Sequence, residues 1–546
     1  MFVGVALAVL CAGAAGVGTI LWSFESGLSP DSVTYLDMAQ NLAHGKGLTH
    51  RWAYWDPVYE TGMLPTATSL WPPGYSLAIA ALITLGFDPY FAGRLICLLS
   101  FAILPLPVYG LARFLLPPAR ALLCTGLVIT LFPIVRLSSS VSTESPFLLL
   151  STLSLLYTLR ALQAQTTRAV TYFWLTASLA AAAAFLLRYV GIAWVAGVVL
   201  AALLPGAKIG SRTRALHLAL AAGPGGLVVG VIFLRNWVVS GALVYASPGG
   251  DIFWSTLGSS LRSAITSLIG WKGILGPNLS LLLPLELALL GGLTGLALVS
   301  FWQARVATRK RHLPLPAVVP SGIIGLFILL GLAVTVRGVA AAGVNLEPRY
   351  MTIYLPWGLV LLLGWALQIG SQDTGALWAA IARRGAHLAC LLWLLCQVAV
   401  TALYFSSPEE SYIAAGSRSP TIAWVKMNVA PNETILTNGG ANLAYWCPNP
   451  VLALPQPPYS GKRSAASWDA VDRLAIKAHA RYLVHFFGYP ATPRWDAETF
   501  RFLRSLDTPE KFPERDLISF TDGVVYHVGG ANSSSPNLKR AQKPKR

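Results

Sequence analysis

Residues 2–22, FVGVALAVLCAGAAGVGTILW, carry no charge and are followed at 29–48 by SPDSVTYLDMAQNLAHGKGL. The first stretch is long enough to cross a hydrocarbon core of about 30 Å as a helix. The second opens with Pro30 and Asp31, residues that start helices, and then repeats Tyr35, Met38, Ala39 and Leu42 at helical spacing. The pair reads as a span followed by an amphipathic helix on the membrane surface, with a carboxylate at its start. The first run lacks a positive leader, and Leu10 before Cys11 is too large for a lipoprotein cleavage site, so it reads as a retained helix.

The same pattern continues along the chain. Of 546 residues, 55% are hydrophobic and 12% charged, about half the charged fraction of a soluble protein. Further apolar runs lie near 91–113, 121–137, 145–163, 169–187, 190–205, 214–235, 279–301, 318–336, 350–368 and 386–405. The expected fold is a polytopic α-helical membrane protein with about 11–13 transmembrane helices. The net charge of +17 does not imply a nucleic-acid partner, because much of the Lys and Arg falls in short clusters between apolar runs. The six cysteines imply neither a disulfide framework nor a zinc site, since five lie in apolar runs and Cys447 stands apart.

Five basic clusters (Arg113/Arg120, Arg160/Arg168, Lys208–Arg214, Arg305–Arg311 and Arg383/Arg384) alternate consistently if all are cytoplasmic. The N-terminus is then inside and residues 406–546 outside. The apolar stretch 74–87 breaks the alternation if it crosses, so it is expected to be re-entrant or interfacial, within one outer loop over 23–90. The expected organisation is a transmembrane module over 1–405, a small extracytoplasmic α/β domain over 406–535 and a disordered basic tail over 536–546. In the C-terminal part, Thr434–Leu436, Arg481–Phe487 and Gly523–Val528 read as strands, and 466–480 as a helix.

Two acids fall at the outer face in this topology. Asp31 caps or begins its helix, and Glu144, in SVSTESPF, begins the next span. Each has that local reading. Converging, the two can bind a divalent metal such as Mg or Mn, or one can act as general base toward a hydroxyl. No metal ligand set is readable from spacing, and the eight histidines show none. Four arginines, Arg188, Arg235, Arg337 and Arg349, sit at outer span ends, against the positive-inside rule. Snorkelling or local ion pairs account for any one of them. As a set they suit a lipid phosphate at that depth, because the guanidinium fork binds phosphate bidentately. Tyr35 and Tyr350 flank these groups in sequence, and Lys272 and Glu60 are further outer-loop candidates, each also readable as an ordinary loop residue.

These motifs resemble, in order over about residues 1–365, the C-type (GT-C) membrane glycosyltransferases. They are SPDSVTYLD at Asp31, WPPGYSLAIAAL at 71–82, FAGRLICLLSF at 91–101, STESPF at Glu144, LLRYVG at Arg188, RNWVVSG at Arg235 and EPRYMTIYLP at Arg349. The bacterial members that the motifs resemble include relatives of protein O-mannosyltransferases and of the lipid A aminoarabinose transferase. The resemblance implies inverting transfer of a monosaccharide from a polyprenyl-phosphate lipid to an acceptor hydroxyl of a protein, lipid or glycan, at the outer face of a bacterial plasma membrane. It implies Asp31 as catalytic acid-base residue, Glu144 as the second-loop acid, and Arg349 with Arg188 and Arg235 as donor-phosphate ligands. Where the family often has Asp-Glu, this chain has Asp31-Ser32, which weakens a metal role for the pair. The competing readings are a transporter or lipid flippase, and a glycan ligase or polymerase using a lipid diphosphate.

Overall fold

The apolar runs become helices. In the computed structural model the described residues are 2–24, 28–53, 64–67, 69–204, 211–241, 243, 318–341, 348–367, 376–406, 416–454, 467–487, 502, 504–511 and 516–528. Helix α1 (Phe2–Phe24) leads to α2 (Pro30–Ala43). Short strands β1 (Thr49–His50), β2 (Trp52–Ala53) and β3 (Thr66–Ala67) precede α3 (Gly74–Thr84). Then come α4 (Pro89–Ile103), α5 (Pro105–Ala112), α6 (Pro118–Ile129), α7 (Phe132–Ser139), α8 (Glu144–Gln163), α9 (Thr167–Leu187), α10 (Ile192–Leu203) and α11 (Ser211–Ser240). After a stretch outside the described residues follow α12 (Val318–Ala341), α13 (Pro348–Thr352), α14 (Leu355–Ala366) and α15 (Ala376–Ser406).

Among the described residues, six helices are long and apolar enough to span a membrane, or seven if the bent pair α6–α7 is one span. That pair meets at 60°. The break has a local cause: Pro133, in the first turn of α7, cannot donate back into α6. Gln397 on α15 fills part of the gap, its Oε1 accepting from the Phe132 amide at 3.0 Å. The runs expected near 190–205 and 350–368 contain shorter apolar helices, the one near 386–405 lies within the 31-residue α15, and the one near 279–301 lies outside the described residues. Helix α3 has 11 residues, about 16 Å of rise, too short for a core of about 30 Å. It is the segment expected to be re-entrant or interfacial.

The C-terminal part folds as an α/β unit. Helices α16 (Pro420–Asn428), α17 (Gly440–Trp446) and α18 (Trp468–Lys477) pack with strands β4 (Thr434–Thr437), β5 (Val451–Ala453), β6 (Ala480–Phe486), β7 (Leu517–Ser519) and β8 (Gly523–His527). The sheet order is β2-β5-β4-β6-β8-β7. The first four strands pair in parallel, and β6-β8-β7 is antiparallel. The edge strand β2 comes from the loop between α2 and α3, with Trp52 opposite Val451. Residues 406–535 therefore do not close the sheet on their own.

That loop is clasped to the C-terminal unit a second time. The Arg51 Nε donates to Asp37 Oδ1 at 2.6 Å, its amide donates to Oδ2 at 2.5 Å, and its Nη1 donates to Pro448 O at 2.9 Å. One arginine thus ties α2, the loop that follows it and the segment before β5 together.

Candidate active site at the helix ends

Helix α2 starts where its sequence says it can. Ser29 is the N-cap, its hydroxyl accepting from the Ser32 amide, while Ser32 Oγ accepts from the Ser29 amide. This reciprocal cap leaves Asp31 in the first turn, part-exposed, where the positive helix end favours a carboxylate. Ser32 also donates to Val141 O at 2.7 Å. Val141 lies three residues before Glu144, so this bond draws the two acids together.

Glu144 opens α8 and is buried. It survives there because Arg188 reaches it, Nη1 to Oε1 at 2.6 Å, with the same nitrogen donating to Thr143 Oγ1 at 3.0 Å. Arg188 ends α9 in an extended conformation, and a 3-10 turn over Tyr189–Gly191 leads directly into α10. Gly191 is required by that turn: a Cβ there would lie 2.4 Å from the Phe185 amide nitrogen.

Tyr35, one turn after Asp31, points into the same space. Its hydroxyl bonds Thr143, and burial, then the charge of Asp31, push it well above the ordinary phenol range, against the opposing effect of Arg188. The phenol is a neutral hydrogen-bonding group at any physiological pH. The segment WPPGY supports it from behind. Tyr75 packs edge-on at 5.3 Å between centroids, and Ser76 donates to Tyr35 O at 3.0 Å. A Cβ at Gly74 would meet Leu186 O at 2.6 Å, so α3 approaches the end of α9 through glycine. From the other side Tyr350, on α13, offers its ring to the Arg188 guanidinium at 5.8 Å.

Asp31, Tyr35, Glu144, Arg188 and Tyr350 therefore converge, from positions up to 319 residues apart in the chain. Arg235 belongs to a neighbouring network: its Nη1 donates to Asn236 Oδ1 at 3.0 Å, Asn236 Nδ2 donates to Tyr189 Oη at 2.9 Å, and Tyr189 donates to Ser69 O at 2.7 Å. Arg337 is exposed on α12. The backbone of Arg349 falls in α13, next to Tyr350, while its side chain, Lys272 and Glu60 lie outside what is described. Among the described residues, no three His, Cys, Asp or Glu side chains gather as a metal site.

Sequence reasoning missed Asp37, Arg51 and Arg94. Arg94 is buried on α4, donating to Ser139 O at 2.8 Å, Trp22 O at 3.2 Å and Tyr90 Oη at 3.0 Å. It joins α1, α4 and α7 beneath the site. An arginine inside the apolar run 91–101 was the available signal.

Comparison with known proteins agrees with this architecture. The family model described as dolichyl-phosphate-mannose-protein mannosyltransferase matches residues 71–231. No curated protein matches the chain. The structure is similar to that of ArnT from Cupriavidus metallidurans bound to undecaprenyl phosphate, with TM-score 0.55 and 13% identity over 94% of this chain and 97% of that one. It is also similar to the archaeal oligosaccharyltransferase AglB from Archaeoglobus fulgidus, in complex with an inhibitory peptide and a dolichol-phosphate (TM-score 0.52, 12% identity, 88% of this chain, 69% of that one). The mycobacterial arabinofuranosyltransferase AftD gives TM-score 0.53 at 14% identity, over 95% of this chain and 41% of that one. The fold is that of the C-type membrane glycosyltransferases, with an α/β unit at the C-terminal end.

Proposed function

We propose that this chain is a membrane glycosyltransferase that moves one monosaccharide from a polyprenyl-phosphate donor to an acceptor hydroxyl at the outer face of a bacterial plasma membrane, with inversion at the anomeric carbon. The observation that carries the reading is the convergence of Asp31, Tyr35, Glu144, Arg188 and Tyr350 at the helix ends. The family description and the lipid phosphates bound by ArnT and AglB support it.

In this mechanism the Asp31 carboxylate accepts the proton of the acceptor hydroxyl. The hydroxyl oxygen attacks the anomeric carbon from the face opposite the phosphate, and the carbon–oxygen bond to the phosphate breaks. The electron pair leaves on the polyprenyl phosphate. Glu144 acts through Arg188, fixing its guanidinium. Arg188 and Arg349, with Arg235 nearby, supply positive charge where the leaving phosphate develops its own. Tyr35 and Tyr350 shape the space between acid and arginine.

The test is turnover by purified protein in nanodiscs with a panel of radiolabelled polyprenyl-phosphate monosaccharides. Release of polyprenyl phosphate matched by an equal amount of inverted glycoside is expected for one donor. Failure with every donor, together with movement of a labelled lipid across a reconstituted vesicle, would replace this reading with a flippase.

A further inference from the structure

A cleft of about 220 Å³ lies on the far side of α2 from Asp31. Gln40, on its wall, is nine residues after Asp31, about two and a half turns. The cleft and the acid thus occupy opposite faces of one helix. Its other walls are the start of α4, with Asp88 and Tyr90, and the end of α17, with Tyr445 and Trp446.

These walls are held in place by contacts among themselves and with residues behind them. Asp37 is buried and fixed by the two bonds from Arg51. Tyr90 is fixed by the buried Arg94, which donates to its hydroxyl and lies 5.3 Å over its ring. Tyr445 and Trp446 meet edge-on at 5.0 Å, and Lys426 sits 5.1 Å over the indole. Burial, with Tyr90 and Asp88 near it, pushes the Tyr445 hydroxyl up to about 12, so it stays neutral and both donates and accepts.

The lining has a particular chemistry. Three aromatic rings offer apolar faces and edges, while carboxylate, amide and phenol groups offer acceptors and donors around them. A pyranose or furanose ring has the matching surface, with C–H faces and a rim of hydroxyls. Asp37 and Asp88 against Arg51 leave one net negative charge, which disfavours the phosphate end of a lipid donor. The volume falls below the roughly 300 Å³ where pockets for drug-sized ligands begin, which suits a single ring.

We propose that this cleft is a subsite for one neutral sugar ring of a glycan acceptor, separate from the transfer site and built jointly by α2, α4 and the C-terminal unit. The proposal rests on the glycosyltransfer reading for its ligand class.

The test uses full-length protein in nanodiscs and the neutral methyl glycosides of glucose, galactose, mannose and arabinose. Binding is followed by saturation-transfer NMR and by tryptophan fluorescence. At least one glycoside binds saturably, and Trp446→Ala weakens it about tenfold, equivalent to about 1.4 kcal/mol. Gln40→Ala, a part-exposed wall residue of α2, weakens it severalfold without depending on how the C-terminal unit tolerates loss of an indole. Asp31→Asn binds the glycoside as well as wild type while losing transfer. Absence of saturable binding for every glycoside overturns the subsite, as does binding unchanged in both Trp446→Ala and Gln40→Ala. If sugar transfer proceeds and no glycoside binds, the subsite alone falls. If binding is lost in both variants while the wild type turns over no donor, the subsite stands and the transfer reading falls.

Discussion

Replacing Arg51 by alanine tests how the loop after α2 is joined to the C-terminal unit. Arg51 holds the Asp37 carboxylate by its Nε and its amide, and reaches Pro448 O with Nη1. Asp37 has 3% of its side chain exposed and Arg51 25%. Removing one partner of a buried pair costs about 3–5 kcal/mol. The alanine variant keeps the amide bond to Asp37, and the arginine is partly exposed, so we expect about 2–3 kcal/mol here. That corresponds to a clasp that opens about 30- to 150-fold more often. The local reporter is Cys447, buried beside Pro448, with its thiol pushed up to about 11 by burial. In a background with Cys447 as the single cysteine, a neutral maleimide at neutral pH reads the open fraction when reclosing outruns alkylation. Labelling of Arg51→Ala should be about 30- to 150-fold faster than wild type. The Arg51 charge itself lowers the Cys447 thiol, so its loss acts against labelling and does not imitate the effect. Asp37→Asn combined with Arg51→Met removes both charges and should recover most of the loss. Equal rates in wild type and Arg51→Ala, or an acceleration the double variant leaves intact, would refute the clasp.

Three further outcomes follow from particular contacts. Arg188→Lys keeps a charge but loses the planar guanidinium, whose Nη1 donates to both Thr143 and Glu144. Its kcat/KM should fall about 100-fold in a steady-state transfer assay, and full activity would remove Arg188 from the site. Gly191→Ala drives a methyl into the Phe185 backbone and should lower stability by about 1–3 kcal/mol, read as a reduced Tm in detergent; an unchanged Tm would show that the turn can relax. The hydrogen bond from His485 holds the Asp507 carboxyl below its ordinary value, with the charges of His485 and Arg504 adding to it and burial opposing. A depressed carboxylate stabilises the fold above the unfolded value and loses that contribution as pH falls through the folded one. Acid unfolding of the C-terminal unit below about pH 4 should therefore be shallower in Asp507→Asn, measured by tryptophan fluorescence; identical titrations would exclude the pair as a source of stability.

What the sequence made legible was local. The apolar runs, the amphipathic start of α2 and the short segment at 74–87 are patterns of neighbouring residues, and helices follow from them. Arg188 and Glu144 stood out because charge at those depths is costly, and they are found paired. Strands β4, β6 and β8 were readable from β-branched runs, whereas β5 and β7 have three residues each and carry too little pattern. Arg235 looked equivalent to Arg188 by the same charge argument, yet it turns to Asn236, a choice made by packing around Tyr189. The largest gap is β2. Nothing near Trp52 signals that it pairs with Val451 some 400 residues later, because long-range pairing depends on where the whole bundle places the loop. The sequence reads α2 as a surface helix, yet nine of its 14 residues are buried, Asp37 among them, and its partner Arg51 becomes visible only once the loop is folded.

The most direct test of the account is the rate of sugar transfer by Asp31→Asn at saturating donor, with donor binding measured in parallel by retention of radiolabelled lipid. Asparagine preserves shape and removes the base. The account predicts donor affinity unchanged within about twofold and kcat lower by about 10²–10⁴. Transfer at the wild-type rate by a folded Asp31→Asn protein would contradict it.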